Sequence, residues 1–242
     1  MPQPDKTYSF RDPTGLTRWA KGLVYAQIAI SVVALISNVM EYQLLTQMQS
    51  GAFADAEAEM TAAATANDTR QAIIGGLQFL LFVAAGVAIL MWIYRANTNA
   101  RALGATSMRF TPGWSVGWYF IPIANLWKPY QAMKEIWKAS ANPRNPNAAQ
   151  RSPLLPWWWG LWIGSGILGN AVFRLSIAAE KIDELISLNI VTTLSDSFDI
   201  PLNLIFLAII NGIYRMQMGQ PGALAVPPKE AMISASPASP LR

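Results

Sequence analysis

Two residue types are missing from this 242-residue chain: it has neither cysteine nor histidine. Without cysteine there is no disulfide, no thiolate nucleophile and no Cys-ligated metal or cluster. Without histidine the chain lacks the commonest metal ligand and the commonest general base. Charge is scarce too. Only 13% of residues are Asp, Glu, Lys or Arg, against ~25% in a soluble domain. Set beside 52% hydrophobic residues, that shortage points to a membrane protein rather than a soluble core. Nothing in the composition asks for a cofactor.

What the chain does have is long apolar runs. Spans are expected at about 19–42, 72–94, 155–173 and 198–214, since roughly 20 apolar residues cross a ~30 Å hydrocarbon core. Trp19–Tyr42 carries no charge between Lys21 and Glu41, and Ala72–Tyr94 carries none at all. The first run is longer than a signal-peptide h-region and no A-x-A site follows it, so it reads as a retained anchor. The fourth, apolar from Ile200 to Tyr214, has Pro201 near its start, which suggests a first-turn proline.

The loops between these runs alternate in charge. The N-terminal arm holds Lys6, Arg11, Arg18 and Lys21 against Asp5 and Asp12, whereas residues 41–70 hold Glu41, Asp55, Glu57, Glu59 and Asp68 against Arg70 alone. Residues 95–156 carry eight Lys or Arg and a single acid, Glu135; residues 174–199 turn acidic again, and the tail is basic. By the positive-inside rule this is the pattern of four spans with both termini cytoplasmic. It also accounts for the excess of basic residues as topology, so no nucleic-acid partner is expected.

The second and fourth spans end alike, in Trp92-Ile93-Tyr94-Arg95 and Gly212-Ile213-Tyr214-Arg215. That likeness suggests two helical hairpins in a parallel repeat, although positive-inside selection alone can produce it. The Ala-rich outer loop after Gly51 is expected to be partly helical. Residues 1–218 form one membrane domain in this reading, and the Pro/Ala/Ser-rich tail 219–242 is disordered.

Between the hairpins lies a cytoplasmic insert, 95–154, with an aromatic element at 111–140. Pro112 and Pro122 prevent residues 111–127 from spanning, and both flanks are basic. The segment is therefore re-entrant or interfacial. From Pro129 onward, Tyr130, Met133, Ile136 and Trp137 fall on one helical face with Lys134 and Lys138 on its flanks. Trp114, Trp118, Tyr130, Met133, Lys134, Trp137 and Lys138 are the candidate contacts to lipid or partner, the lysine stems snorkelling toward phosphates. The alternative is that this helix caps the ends of the bundle; the two are compatible.

The same insert contains Gly113-Trp114-Ser115-Val116-Gly117, which spells the G-x-S-x-G of a hydrolase elbow. That motif needs a strand–turn–helix context and a histidine to take the serine proton, and the chain has no histidine. A Ser–Lys dyad with Lys128 or Lys134 would need a desolvated lysine, yet both look surface-placed. Gly113 and Gly117 more simply let a short helix pack closely on a span. No catalytic residue is assigned, and the protein is not expected to be an enzyme.

The run Arg95-Ala-Asn97-Thr-Asn-Ala-Arg101-Ala-Leu103-Gly104, followed by Phe110–Ser140, resembles the signature of the DUF4328 family of bacterial membrane proteins. The matching positions are Arg95, Asn97, Arg101, Leu103, Gly104, Pro112, Gly113, Trp118, Pro122, Asn125, Pro129 and Trp137. The resemblance implies a bacterial protein with several membrane helices and supplies no catalytic residue.

Within the spans, between their interfacial ends, no charged residue is expected. Gln27, Ser31, Asn38, Gln78, Ser165, Asn170, Asn203 and Asn211 read as hydrogen-bonding glue between helices, worth ~0.6 kcal/mol each; a solute path lined by them is the sharper alternative. Gly160 and Gly164 form G-x-x-x-G, a helix-packing face. Trp157–Trp159 reads as an aromatic belt. The fold class is thus all-α: a four-span transmembrane helical bundle with both termini cytoplasmic and a re-entrant or interfacial amphipathic insert between two hairpins. The expected location is the inner (cytoplasmic) membrane of a bacterium. Expected partners are membrane lipids, with another membrane protein or self-association beside them. The expected role is a non-enzymatic scaffold or accessory subunit, with small-solute or lipid transport as the alternative.

Overall fold

The computed structural model describes residues 8–224, and among these every regular element is helical. Four helices are long and apolar enough to cross a membrane: α1 (Thr14–Gln49), α2 (Glu57–Ala102), α5 (Leu154–Ala178) and α6 (Ile182–Met218). Between α2 and α5 lie the short α3 (Pro112–Gly117), two 3-10 turns at Trp118–Phe120 and Ala124–Leu126, α4 (Lys128–Ala141) and a third 3-10 turn at Pro146–Ala148. A final turn, α7 (Pro221–Leu224), opens the tail; the rest of the segment expected to be disordered lies outside the described residues.

The spanning helices are longer than the apolar runs. At 1.5 Å per residue, the 46 residues of α2 extend ~69 Å, over twice a ~30 Å hydrocarbon core. The Ala-rich segment from Glu57 on is continuous with the apolar run in α2. A larger difference concerns α6: it starts at Ile182, so Pro201 lies inside the helix and not in its first turn. A helical proline leaves the carbonyl four residues earlier without its amide donor. In the turns before it, Thr193 and Ser197 donate their hydroxyls to the carbonyls of Asn189 (2.8 Å) and Thr193 (2.7 Å), a back-bonding that loosens a helix. Membrane helices tolerate this combination.

The chain separates into two compact units. One comprises Arg18–Leu90 and Pro153–Ile210, the bodies of the four long helices. Its inward positions include small residues, Ala20, Ala34 and Ala85, while Phe79, Phe82, Ile167 and Phe173 face outward at 64–66% exposure. Trp158, Phe206, Ile209 and Ile210 are buried along with those small residues, and large apolar side chains facing outward along the helix bodies fit helices packed in lipid. The other unit comprises, among the described residues, 8–17, 91–152 and 211–224. In it Trp92, Ile93, Met133, Ile136 and Ile213 are all almost completely buried.

Candidate functional site

The insert is shaped by a polar clamp around residues 108–110. At the end of α2, the fully buried Asn97 donates to the Phe110 carbonyl (3.0 Å) and accepts from Arg101 Nε (3.1 Å). Arg101 also reaches the carbonyls of Met108 (3.0 Å) and Phe110 (2.9 Å). From α4, Glu135 accepts the backbone amides of Arg109 (2.6 Å) and Phe110 (2.9 Å). Backbone groups of an extended stretch that would otherwise lack partners are thus bonded by three side chains. Gly104, at φ +106°, ends α2 in a conformation that L side chains rarely adopt. Pro112 and Pro129 sit in the first turns of α3 and α4, where their missing amides cost nothing.

This clamp sets the direction of α4, and it does not turn the apolar face outward. Met133 and Ile136 are fully buried. Trp137 lies against the backbone of α6 so closely that a Cβ on Gly212 would stand 2.7 Å from its ring. Beside it, the buried Gln217 donates to the Ala96 carbonyl (2.8 Å) and to Ser140 Oγ (2.9 Å). Of the residues expected to meet lipid or a partner, Met133 is inaccessible. Tyr130, Lys134, Trp137 and Lys138 are half-buried. The apolar stripe of α4 covers the ends of α2 and α6 within its own unit.

The exposed apolar surface lies earlier, in the stretch between the two prolines and α4. Phe120 and Ile123 are 70% and 72% exposed, with Leu126, Trp114 and Trp127 also open. Trp114 and Trp118 pair at 4.8 Å between ring centroids. Lys128 sits over the Trp118 ring (5.3 Å) and near the Phe110 ring (5.8 Å), a cation–π arrangement. The tip itself is strained: Ile123 has φ +68° and ψ −58°, and the Ala124 amide bonds the Pro122 carbonyl across it (2.7 Å). This is the rarer, positive-φ form of γ-turn, and for a β-branched residue it is an outlier. Beside the turn, Trp118 Nε1 and Asn125 Oδ1 are buried without a partner among the described residues. Burial also pushes the Tyr119 hydroxyl well above its ordinary pKa.

The glycines divide. A Cβ on Gly164 would meet Phe198 of α6 at 3.2 Å, so that glycine is part of a close helix contact, while Gly160 and Gly113 face open space. Gly117 would meet only the Trp114 ring of its own turn, so Gly113 and Gly117 do not form a packing pair against a span. In the aromatic triplet, Trp158 is buried and stacks on Phe206 at 5.5 Å, while Trp157 is open.

In the unit of helix bodies, the polar glue is organised by carboxylates. Asp196 of α6 accepts from Asn38 Nδ2 (2.8 Å) and Gln78 Nε2 (2.9 Å), and Asp199 accepts from Ser165 Oγ (2.8 Å). Glu41 accepts from Asn67 (3.2 Å), Gln71 (2.9 Å) and Asn189 (2.7 Å). Ser165 lies about nine residues, ~13 Å of helix, inward of Arg174. The expectation that the spans carry no charge between their ends is therefore corrected. Two acids of the fourth helix reach polar groups inside the apolar stretches of its neighbours. They were counted as loop residues because α6 was expected to begin near residue 198.

Ser115 is fully buried, and its hydroxyl donates to the Pro112 carbonyl at 2.7 Å. Among the described residues, no three acidic, His or Cys side chains gather as a metal site.

The model of a family described as "Domain of unknown function (DUF4328)" matches residues 55–215. The chain belongs to the DUF4328 family. Comparison with curated proteins and with solved structures gave no match. In this DUF4328 chain, the signature positions Asn97, Arg101, Gly104, Pro112 and Pro129 hold the insert in shape. Pro122 and Asn125 frame the strained tip, and Arg95 lies elsewhere, at the edge of a basic recess.

Proposed function

We propose that this protein is a non-enzymatic integral membrane protein, a scaffold or accessory subunit whose insert holds lipid at the bilayer interface. The observation that supports it is the exposed set Trp114, Phe120, Ile123, Leu126 and Trp127 on a short, shaped tip. A soluble protein gains nothing from such a patch, whereas a chain with four apolar helices has a membrane at hand. Aromatic rings beside a lysine suit headgroup depth. The non-enzymatic part rests on Ser115, whose buried hydroxyl is committed to a carbonyl. A fluorophosphonate probe that labels the wild type and spares Ser115→Ala would overturn it. The alternation of basic and acidic loops supports cytoplasmic termini in a bacterial inner membrane.

The test of the lipid-holding role is photo-crosslinking in native membranes from a diazirine amino acid placed at Phe120. Lipid adducts, with or without a recurrent protein adduct, are expected. Neither kind of adduct, with the protein correctly inserted, would sink the reading. A second reading, small-solute or lipid transport, rests on Asp196 and Asp199 inside the helix bodies, because ionisable groups there line ion and solute paths. It requires flux in proteoliposomes that Asp196→Asn abolishes.

A further inference from the structure

Where the N-terminal segment meets the end of α2 there is a recess of about 210 Å³, lined by Tyr8, Ser9, Arg11, Tyr94, Arg95 and Thr98. Two of these residues are arginines and none is acidic. Like charges brought together repel, and arginines are placed this way where an anion is to be held. The placement is built rather than incidental. Asn99 is fully buried and spends its amide on the backbone of Arg11 alone, accepting from the Arg11 amide (3.1 Å) and donating to the Arg11 carbonyl (2.9 Å). A second pin follows at the start of α1, where Thr14 Oγ1 and the Tyr214 hydroxyl are 2.9 Å apart. Arg101 lies over the ring of Tyr8, one of the lining residues, at 5.4 Å. The nearest acid in sequence, Asp12, is engaged by the amide and hydroxyl of Thr14.

We propose that this recess binds a phosphate group, held by the forks of Arg11 and Arg95 with hydroxyls of the lining beside them. Two guanidiniums match the charge of a phosphate dianion better than that of a carboxylate, and each fork can grip two of its oxygens. The volume accommodates a phosphate with several waters at ~30 Å³ each. Burial first, and Arg11 second, lower the pKa of Arg95; a bound anion relieves that repulsion. Thr98 gives its hydroxyl to the Tyr94 carbonyl (2.9 Å), so within the recess it can only accept. The phosphate can belong to a lipid headgroup or to a soluble ion, and the chemistry of the site is the same for both. The site is separate from the aromatic tip and stands or falls without it.

The test is thermal unfolding of the full chain in detergent. Inorganic phosphate is titrated against chloride at equal ionic strength, and dihexanoyl phosphatidic acid against dihexanoyl phosphatidylcholine. A ligand that binds only the folded state raises the unfolding temperature with concentration. The wild type should respond to at least one phosphate probe, and Arg11→Gln and Arg95→Gln should each weaken the apparent affinity about tenfold. Arg144→Gln, exposed and outside the recess, should leave it unchanged. Arg11 is itself exposed, so its replacement leaves the core intact. Arg11→Lys keeps the charge without the fork and should recover only part of the affinity. A response to phosphatidic acid alone identifies a lipid headgroup; an equal response to inorganic phosphate identifies the soluble ion. No response in the wild type, or the same affinity in all variants, overturns the proposal.

Discussion

Two neighbouring pieces of the insert, the stretch 114–127 and helix α4, both carry aromatic and aliphatic side chains and have opposite destinations. In α4 the apolar side chains repeat at helical spacing, and Met133 and Ile136 are completely buried. In the stretch before it, Pro122 and the positive-φ turn at Ile123 break the backbone between Phe120 and Leu126, and Phe120, Ile123 and Leu126 remain open. A regular stripe can be covered by one partner surface, and in α4 the protein supplies that surface itself, through Gly212, Gln217 and the end of α2. Broken by Pro122 and by the turn at Ile123, that set does not form one helical stripe, and it stays outside. In these two pieces the regular helical stripe is covered and the interrupted stretch is left exposed.

The difference can be broken from the packed side first. Met133→Ala should destabilise the unit by about 2–5 kcal/mol, as core truncations do, read as a lowered unfolding midpoint in detergent. If Met133 lay outward, the midpoint would stay within ~0.5 kcal/mol of wild type. Gly212→Ala should cost about 1–3 kcal/mol, because its Cβ would stand 2.7 Å from the Trp137 ring, and overpacking of a close contact carries that penalty. The paired change Gly212→Ala with Trp137→Leu should cost less than the sum of the two single changes, a coupling expected only of residues in contact.

On the open side the effects are smaller and differ in kind. Ile123→Gly removes a conformation that costs ~1–3 kcal/mol and adds ~0.5–1 kcal/mol of glycine entropy. The net expectation is a gain of ~1 kcal/mol in the same unfolding assay. Phe120→Ser should leave the midpoint within ~0.5 kcal/mol while reducing lipid crosslinking from the adjacent positions. Loss of stability in Phe120→Ser would mean that the tip is covered within the protein, and the contrast with α4 would disappear.

Much of the fold was legible from composition and apolar runs, and the reasons for the misses are specific. The four long helices follow from charge-free runs, but Pro201, a first-turn proline by sequence, lies inside α6, which begins at Ile182. A proline inside a membrane helix looks the same in sequence as one at its first turn. Asp196 and Asp199 were consequently assigned to a loop. Helix α4 was found by its period, yet period alone does not say whether lipid or protein faces the stripe; Gly212, lying 75 residues beyond Trp137 in the chain, decides that. The roles of Asn97, Arg101 and Glu135 could not be read from spacing, because their partners are backbone groups of an extended stretch. Glu135 carried one signal, as the lone acid in a basic insert.

The most direct measurement of the central claim uses what the chain lacks. With no native cysteine, Ile123→Cys accepts a fluorescent label at one site only, and Asn147→Cys, exposed in the same unit, serves as reference. The protein is reconstituted in bilayers, and each label is quenched separately by brominated lipid and by aqueous iodide. The account predicts that the label at 123 is quenched by brominated lipid and protected from iodide, with the reverse at 147. Strong iodide quenching at 123 with no effect of brominated lipid would contradict it.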